Sequence, residues 1–119
     1  MNADTARTRL EEERSRLTET LASLEEEAEA QQDSLSELSV YDEHQGDIGT
    51  ETFERERNLS IIESVRAELE DIEAAFARID AGSYGSCATC HQPIGDERLD
   101  AVPAARFCVE HQAEVERTP

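Results

Sequence analysis

Apolar residues recur in the first forty positions at steps of three, four and seven, which is the spacing of a coiled-coil seam. They are Leu10, Leu17, Leu21, Leu24, Ala28, Leu35 and Leu38. This pattern predicts a first helix from about Asp4 to Ser39.

A second seam follows after a short break, at Ile62, Val65, Leu69, Ile72, Phe76 and Ile79. It predicts a second helix from about Thr50 to Ala81, and Gly82 stands where a left-handed residue closes a helix. Each helix would be roughly 50 Å long at 1.5 Å per residue. A connection of about ten residues makes the two helices antiparallel neighbours. The predicted fold class is mainly α, with a long antiparallel two-helix coiled-coil hairpin over residues 1–81.

The two seams also predict a register. Folding the chain about the middle of the break pairs Leu10 with Ile79, Leu17 with Ile72, Leu21 with Leu69, Leu24 with Val65, and Ala28 with Ile62. The next layer pairs Gln31 with Asn58. These two amides either form a buried hydrogen-bonded pair that fixes the register, or are both hydrated at a frayed end of the hairpin.

The break from Ser39 to Glu51 places carboxylates around two glycines. The carboxylates are Asp42, Glu43, Asp47 and Glu51. Aspartate and glycine are ordinary turn residues, so a simple turn is one interpretation. The other is an acidic tip, at about residues 40–49, that approaches a metal ion or a cationic pocket of a partner.

All three cysteines follow Gly82, where the helical pattern ends. Cys87 and Cys90 form one C-x2-C pair, and Cys108 and His111 form a second pair after seventeen residues. Thiolates and a neutral imidazole are ligands that zinc prefers, and four of them close a tetrahedral structural site. We therefore expect one structural Zn²⁺ in a small module over residues 82–119, and no enzyme activity.

The sequence Cys87-Ala88-Thr89-Cys90-His91 also has the form of a covalent haem attachment site. Haem would leave Cys108 and His111 unexplained, and it needs an apolar pocket that this composition does not offer. A redox C-x-x-C is expected near a strand-helix-strand pattern, which is missing. Zinc is favoured, with His91 outside the ligand set.

Charge narrows the range of partners. The net charge is −18, and all eleven basic residues are arginine. So acidic a chain repels a phosphate backbone, which argues against direct DNA binding. The sequence has no apolar leader at Met1 to Leu10 and no membrane-length apolar run. A cytoplasmic protein is expected.

The residues around the cysteines resemble the DksA/TraR-type zinc-finger family. The resemblance rests on Gly82-Ser83-Tyr84-Gly85-Ser86-Cys87, Ile94, and Arg98-Leu99-Asp100-Ala101-Val102-Pro103 before Cys108, and it extends back to Asp47-Ile48-Gly49-Thr50-Glu51. It implies a transcription regulator that binds RNA polymerase and inserts its hairpin into the secondary channel, where the acidic tip approaches the active site. It also implies zinc ligands at Cys87, Cys90, Cys108 and His111.

This chain departs from the family pattern at three places. His111 replaces the fourth cysteine. The family's tip motif, D-x-x-D-x-A, falls on residues 44–49, where Asp47 alone matches. Positions at which members use basic residues to hold guanosine tetraphosphate fall on Asp71 and Val102, so a response to that nucleotide is not implied.

Two functions therefore remain open at this point. The first is a polymerase-binding regulator with Asp47 as its contact at the tip. The second is a zinc-capped coiled-coil adaptor for another protein, suggested by the altered tip and by the apolar residues Phe53, Leu59 and Ile61 outside the seam. Those three residues could also cover the connecting loop or an N-terminal segment.

Overall fold

The computed structural model describes residues 1–41 and 45–117, with side chains given outside residues 35–48. The described residues form four helices, and they contain no strand beyond an isolated antiparallel bridge between Ser86 and Pro93. The helices are α1 (Ala3–Tyr41), α2 (Gln45–Ala81), α3 (Asp96–Ala101) and α4 (Val109–Arg117). The predicted mainly helical fold is confirmed.

The predicted break between the long helices is wrong in extent. Helix α1 continues to Tyr41 and α2 already begins at Gln45, so residues 42–44 alone separate them. Glycine costs about 1 kcal/mol in a helix interior, and this suggested a loop around Gly46 and Gly49. Both glycines instead lie in the N-terminal part of α2, Gly46 as its second residue and Gly49 as its fifth. The predicted tip residues Asp42 and Glu43 lie outside the described residues.

Helix α2 ends at the predicted glycine. Gly82 has a φ of +78°, and its N–H donates to the carbonyl of Ile79 at 3.1 Å. The N–H of Ser83 donates to the carbonyl of Arg78 at 2.9 Å. This paired pattern is a Schellman motif, in which glycine takes the left-handed position without a side-chain penalty. The chain therefore turns sharply into the cysteine-rich segment.

The chain divides into two compact units, Met1–Ser15 with Leu69–Pro119, and Arg16–Glu68. We call them the finger unit and the arm unit. The finger unit buries helix residues and residues of the cysteine-rich segment, namely Ala6, Leu10, Ile72, Ala75, Phe76, Cys87, Ile94, Leu99 and Ala105. The separation of a hairpin domain at 1–81 from a zinc module at 82–119 stays a prediction.

The arm unit has a narrow seam. Its buried residues are Leu17, Ala28, Asn58, Ile62 and Val65. The Nδ2 group of Asn58 donates to Oε1 of Gln31 at 3.1 Å, so the predicted amide pair is confirmed. Arg66 and Glu25 form an ion pair at 3.3 Å on the same two helices. Both pairs fit the antiparallel register predicted from the seams.

Among the described residues, no helix has both the length and the apolar character that crossing a bilayer requires.

Candidate metal centre

The first half of the site is a tight turn that begins at Cys87. The N–H of Cys87 donates to the carbonyl of Gln92 at 2.8 Å, and the N–H of His91 donates back to the carbonyl of Cys87 at 2.9 Å. His91 adopts a φ of +63° to close this turn. Its side chain is exposed, whereas Cys87 is fully buried. The turn thus directs Cys87 and Cys90 inward and leaves His91 outside.

The second half begins directly before α4. Cys108 precedes the first residue of the helix, and its carbonyl accepts the N–H of Gln112 at 2.9 Å. His111 lies in the first turn of α4, so it falls on the same side of the helix start as Cys108. The N–H of Ala88 donates to the carbonyl of Arg106 at 2.8 Å and joins the two halves.

The two halves bring four ligand atoms together. The Sγ atoms of Cys87, Cys90 and Cys108 and a ring nitrogen of His111 all lie within 4.8 Å of one another. The Nδ1 atom of His111 lies 3.1 Å from Sγ of Cys108 and 3.7 Å from Sγ of Cys87. Zn–S bonds of about 2.3 Å and Zn–N bonds of about 2.0 Å require edges of roughly 3.5–3.8 Å in a tetrahedron. The donor set therefore fits zinc, and the two N–S distances lie on either side of the roughly 3.5 Å edge expected between a nitrogen and a sulfur ligand.

The electrostatics of the site also suit a cation. Burial raises the pKa of the Cys87 thiol, but the backbone N–H groups of Cys90, Cys108 and Thr89 outweigh it and lower that pKa to about 6. The hydrogen bond with Cys108 raises the pKa of His111, as do the nearby Cys108 and Cys87 sulfurs. The N–H groups thus stabilise the Cys87 thiolate, and the raised pKa of His111 reflects negative charge on the neighbouring sulfurs, which a divalent cation neutralises.

The loop before Cys108 is held by groups that sequence reasoning missed. The Arg78 guanidinium donates to the carbonyls of Ala104 and Ala105 at 3.3 and 3.2 Å. The Tyr84 hydroxyl donates to the carbonyl of Pro103 at 2.8 Å, and Nε of Arg98 donates to the carbonyl of Phe107 at 3.0 Å. Backbone carbonyls carry no sequence signal, so these contacts were not predictable from residue spacing.

The start of α1 also reaches the cysteine-rich segment. The side chain of Met1 is 3% exposed and packs against the cluster of Cys87, Ile94, Leu99 and Ala105. Its amino group pairs with Asp96, and Arg9 donates to the carbonyl of Asp100 at 2.6 Å. No local pattern in the sequence links these segments, which lie more than ninety residues apart.

The other predicted positions are not among the four clustered ligands. Asp47 is in the first turn of α2, and its side chain is outside the described ones. Asp71 and Val102 line a groove of about 710 Å³ together with Arg98 and Arg106. Arg106 pairs with Asp71 at 3.1 Å, so an acidic group occupies this wall of the groove.

Comparison with known proteins decides the family. Residues 82–117 match the profile described as "Prokaryotic dksA/traR C4-type zinc finger". Over 100 residues, the chain is 33% identical to the RNA polymerase-binding transcription factor DksA of Caulobacter vibrioides, covering 82% of this chain and 70% of that protein. The chain belongs to the DksA/TraR zinc-finger family.

Two further relatives show how much of a longer protein this DksA/TraR chain matches. It is 38% identical to general stress protein 16O of Bacillus subtilis, over 81% of this chain and 60% of that protein. It is 40% identical to the B. subtilis protein YteA, over 69% of this chain and 34% of that protein. This chain therefore spans between about a third and three fifths of the length of these two relatives.

A solved structure supports the same fold. The transcription factor DksA2 from Pseudomonas aeruginosa superposes with a TM-score of 0.54, at 25% identity, covering 92% of this chain and 84% of that one. Together with the clustered ligands, membership in the DksA/TraR family establishes Zn²⁺ as the cofactor. The family profile is of the four-cysteine type, whereas this site offers three thiolates and the His111 imidazole. Both sets are sound structural zinc sites.

Proposed function

We propose that this chain binds RNA polymerase, inserts its hairpin into the secondary channel and modulates transcription initiation. The observation that carries the proposal is the 33% identity to an RNA polymerase-binding transcription factor over 70% of that protein's length. Family membership supports a regulator rather than an enzyme.

The length and charge of the arm unit support channel insertion. Each of its helices contributes about 25 residues, or roughly 37 Å at 1.5 Å per residue. Between residues 16 and 68 the sequence has fifteen acidic residues and four arginines. A net charge of −11 favours approach to a basic channel wall and speeds association at low salt.

Asp47 is the proposed contact at the tip. It matches the second aspartate of the family's tip motif and lies in the first turn of α2, beside residues 42–44. Because the rest of the motif is replaced, we assign Asp47 a charged contact and no proton-transfer role. Most of the contact area would lie along the helices, so this residue governs the effect on initiation more than affinity.

The test combines a binding assay and an initiation assay with purified polymerase from the same source. Asp47→Asn should abolish or strongly weaken the effect on initiation while changing the Kd by less than about threefold. Asp33→Asn is the matched control, since Asp33 is an exposed aspartate of α1 in the arm unit. Equal effects of Asp47→Asn and wild type on initiation would reject the role of Asp47 alone.

An adaptor for another protein is the second candidate. The exposure of Phe53 and Ile61 on α2 supports contact between the arm and some protein partner. If the zinc-loaded chain does not bind polymerase, the adaptor is favoured. If it does bind, the regulator is favoured.

A further inference from the structure

The two ring nitrogens of His111 face different groups. Nδ1 lies 3.1 Å from Sγ of Cys108 and 3.7 Å from Sγ of Cys87, which places it in the ligand cluster. Nε2 lies 4.0 Å from Oε2 of Glu114. The imidazole therefore has sulfur atoms beside one nitrogen and a carboxylate beside the other.

Helical geometry brings Glu114 to this position. His111 and Glu114 are three residues apart on α4, so they are about 60° apart around the helix axis and about 4.5 Å apart along it. Residues at this spacing are neighbours on a helix surface. Because α4 begins directly after Cys108, the same helix sets the place of both side chains relative to that ligand.

The chemistry of a metal-binding imidazole explains what a carboxylate can do here. A neutral imidazole that offers the lone pair of Nδ1 carries its proton on Nε2. Metal-binding histidines commonly donate this second N–H to a carboxylate, a backbone carbonyl or a water molecule. Such an acceptor fixes the tautomer and the orientation of the ring, and it makes the opposite nitrogen a stronger ligand.

The distance and the exposure set the strength of this contact. At 4.0 Å, Nε2 and Oε2 are beyond the range of a direct hydrogen bond. The side chain of Glu114 is 64% exposed and that of His111 is 20% exposed, so a water molecule has access to bridge the two atoms. Solvent screens an exposed contact, so its effect on zinc affinity should be smaller than that of a buried one.

The charge of the ligand set gives a second reason for a carboxylate at position 114. Three thiolates and one imidazole have one negative charge fewer than four thiolates. The carboxylate of Glu114 adds a negative charge just outside the ligand set. With a cysteine at position 111, the same carboxylate would lie near a fourth thiolate, and like charges repel each other. Glutamate at position 114 is therefore favourable with histidine at position 111 and unfavourable with cysteine there.

We propose that Glu114 is a positioning residue of the zinc site, which accepts the Nε2–H of His111 and keeps Nδ1 facing the cysteine sulfurs. Its role depends on His111, the ligand that departs from the four-cysteine pattern of the family profile. The residues involved all lie in the finger unit, so this role is independent of the partner that the arm unit binds.

The first experiment measures zinc affinity of the full chain by competition with a chelator. Glu114→Ala should weaken zinc binding by about tenfold, which is the lower end of the range for residues that orient a metal ligand. Glu114→Gln keeps an oxygen acceptor and should stay within about threefold of wild type. Glu116→Ala is the matched control, because it removes the same charge from α4, where Glu116 accepts from Gln112 at 3.2 Å. It should change the affinity by less than about twofold.

The second experiment repeats Glu114→Ala in a chain that carries His111→Cys. No imidazole remains to be oriented in this background, and the replacement removes a charge that repels the new thiolate. Zinc affinity should therefore stay within about twofold or rise. A tenfold loss in both backgrounds would show that Glu114 stabilises α4 without acting on His111, and it would overturn the proposal.

Nuclear magnetic resonance of the zinc-loaded chain with ¹⁵N-labelled histidine observes the ring itself. We expect Nδ1 to be the zinc-bound nitrogen and Nε2 to carry the proton. That proton should exchange with water faster in Glu114→Ala than in wild type, and Glu116→Ala should match wild type. Zinc bound through Nε2, unchanged zinc affinity of Glu114→Ala, or an equal loss of affinity in Glu116→Ala would each overturn the proposal.

Discussion

At the residue scale, one difference from the four-cysteine pattern dominates the zinc site. His111 offers a neutral nitrogen where the family profile has a thiolate, and its Nδ1 atom lies 3.1 Å from Sγ of Cys108. The zinc ion with its four ligands then has a net charge one unit less negative than in a four-cysteine site. In so acidic a chain, this substitution limits the further accumulation of negative charge.

Replacing His111 and His91 in turn should show which of the two histidines binds zinc. Structural zinc binds with about 10–16 kcal/mol in zinc-finger peptides, so losing one of four ligands should lower affinity by about a hundredfold or more. We expect His111→Ala to lose zinc in competition with a chelator. His111→Cys should retain one zinc per chain, and His91→Ala should resemble wild type. Elemental analysis and chelator titration measure this, and zinc loss from His91→Ala would contradict the assignment.

Arg78 and Arg66 offer a second residue-scale comparison on the same helix. Burial and the nearby Arg106 lower the pKa of Arg78, whose guanidinium donates to two carbonyls of the loop before Cys108. Arg78→Met should cost about 1.5–3 kcal/mol because charged donors to carbonyls are removed. Arg66→Met removes one exposed ion pair with Glu25 and should cost less than about 1 kcal/mol. Denaturant unfolding of the zinc-loaded proteins gives both values, and equal losses would argue against a special role for Arg78.

At the element scale, the amide pair is the polar layer of the arm seam. Asn58 is 4% exposed and hydrogen-bonded to Gln31, so neither amide there is simply hydrated at a frayed end. A buried amide pair of this kind opposes any shift of α2 along α1, because a shift would leave both groups without a partner.

A double-mutant cycle tests the amide pair. Asn58→Leu alone should destabilise the chain by about 1–3 kcal/mol because it leaves Gln31 without its donor. Adding Gln31→Leu should recover much of that loss and give a coupling of at least about 0.5 kcal/mol. The double variant should also form more oligomers, since the register is less strictly defined. Additive effects in chemical unfolding would contradict the pair.

The element scale also shows what the sequence could predict. Regular apolar spacing located both long helices, their register and the Gly82 end, because these depend on local periodicity and on one glycine conformation. The ligand spacing located the metal cluster for a similar reason. The predicted start of α2 is wrong because glycine and aspartate favour turns, while aspartate is also favourable in the first turn of a helix.

At the scale of the whole molecule, the contacts that could not be predicted are those between distant segments. Met1 packs into the cysteine-rich cluster, and Arg9 bonds Asp100. Such contacts form only when the fold brings distant segments of the chain together, and no repeating pattern of residues predicts them. The finger unit therefore contains more of the chain than the cysteine-rich segment.

Zinc removal should affect the two units differently. Ligand binding and folding are coupled in small zinc sites, so chelation should unfold residues 82–117. The helices of the arm unit share a seam that contains no zinc ligand and should stay protected. Hydrogen exchange measured peptide by peptide distinguishes these outcomes. Retained protection of residues 82–117 after complete zinc removal, or loss of protection throughout 16–68, would contradict the expectation.

The division into a finger unit and an arm unit bears on how the length of such a protein can change in evolution. The finger unit is discontinuous in sequence, and the arm unit is an insertion between its two parts. Removing seven residues from α1 and a facing seven from α2 would shorten the insertion by about 10 Å and keep the heptad phase. Neither excision need touch a zinc ligand or a buried residue of the finger unit. Arm length and metal binding can therefore evolve separately, with the arm lengthened or shortened in whole heptads.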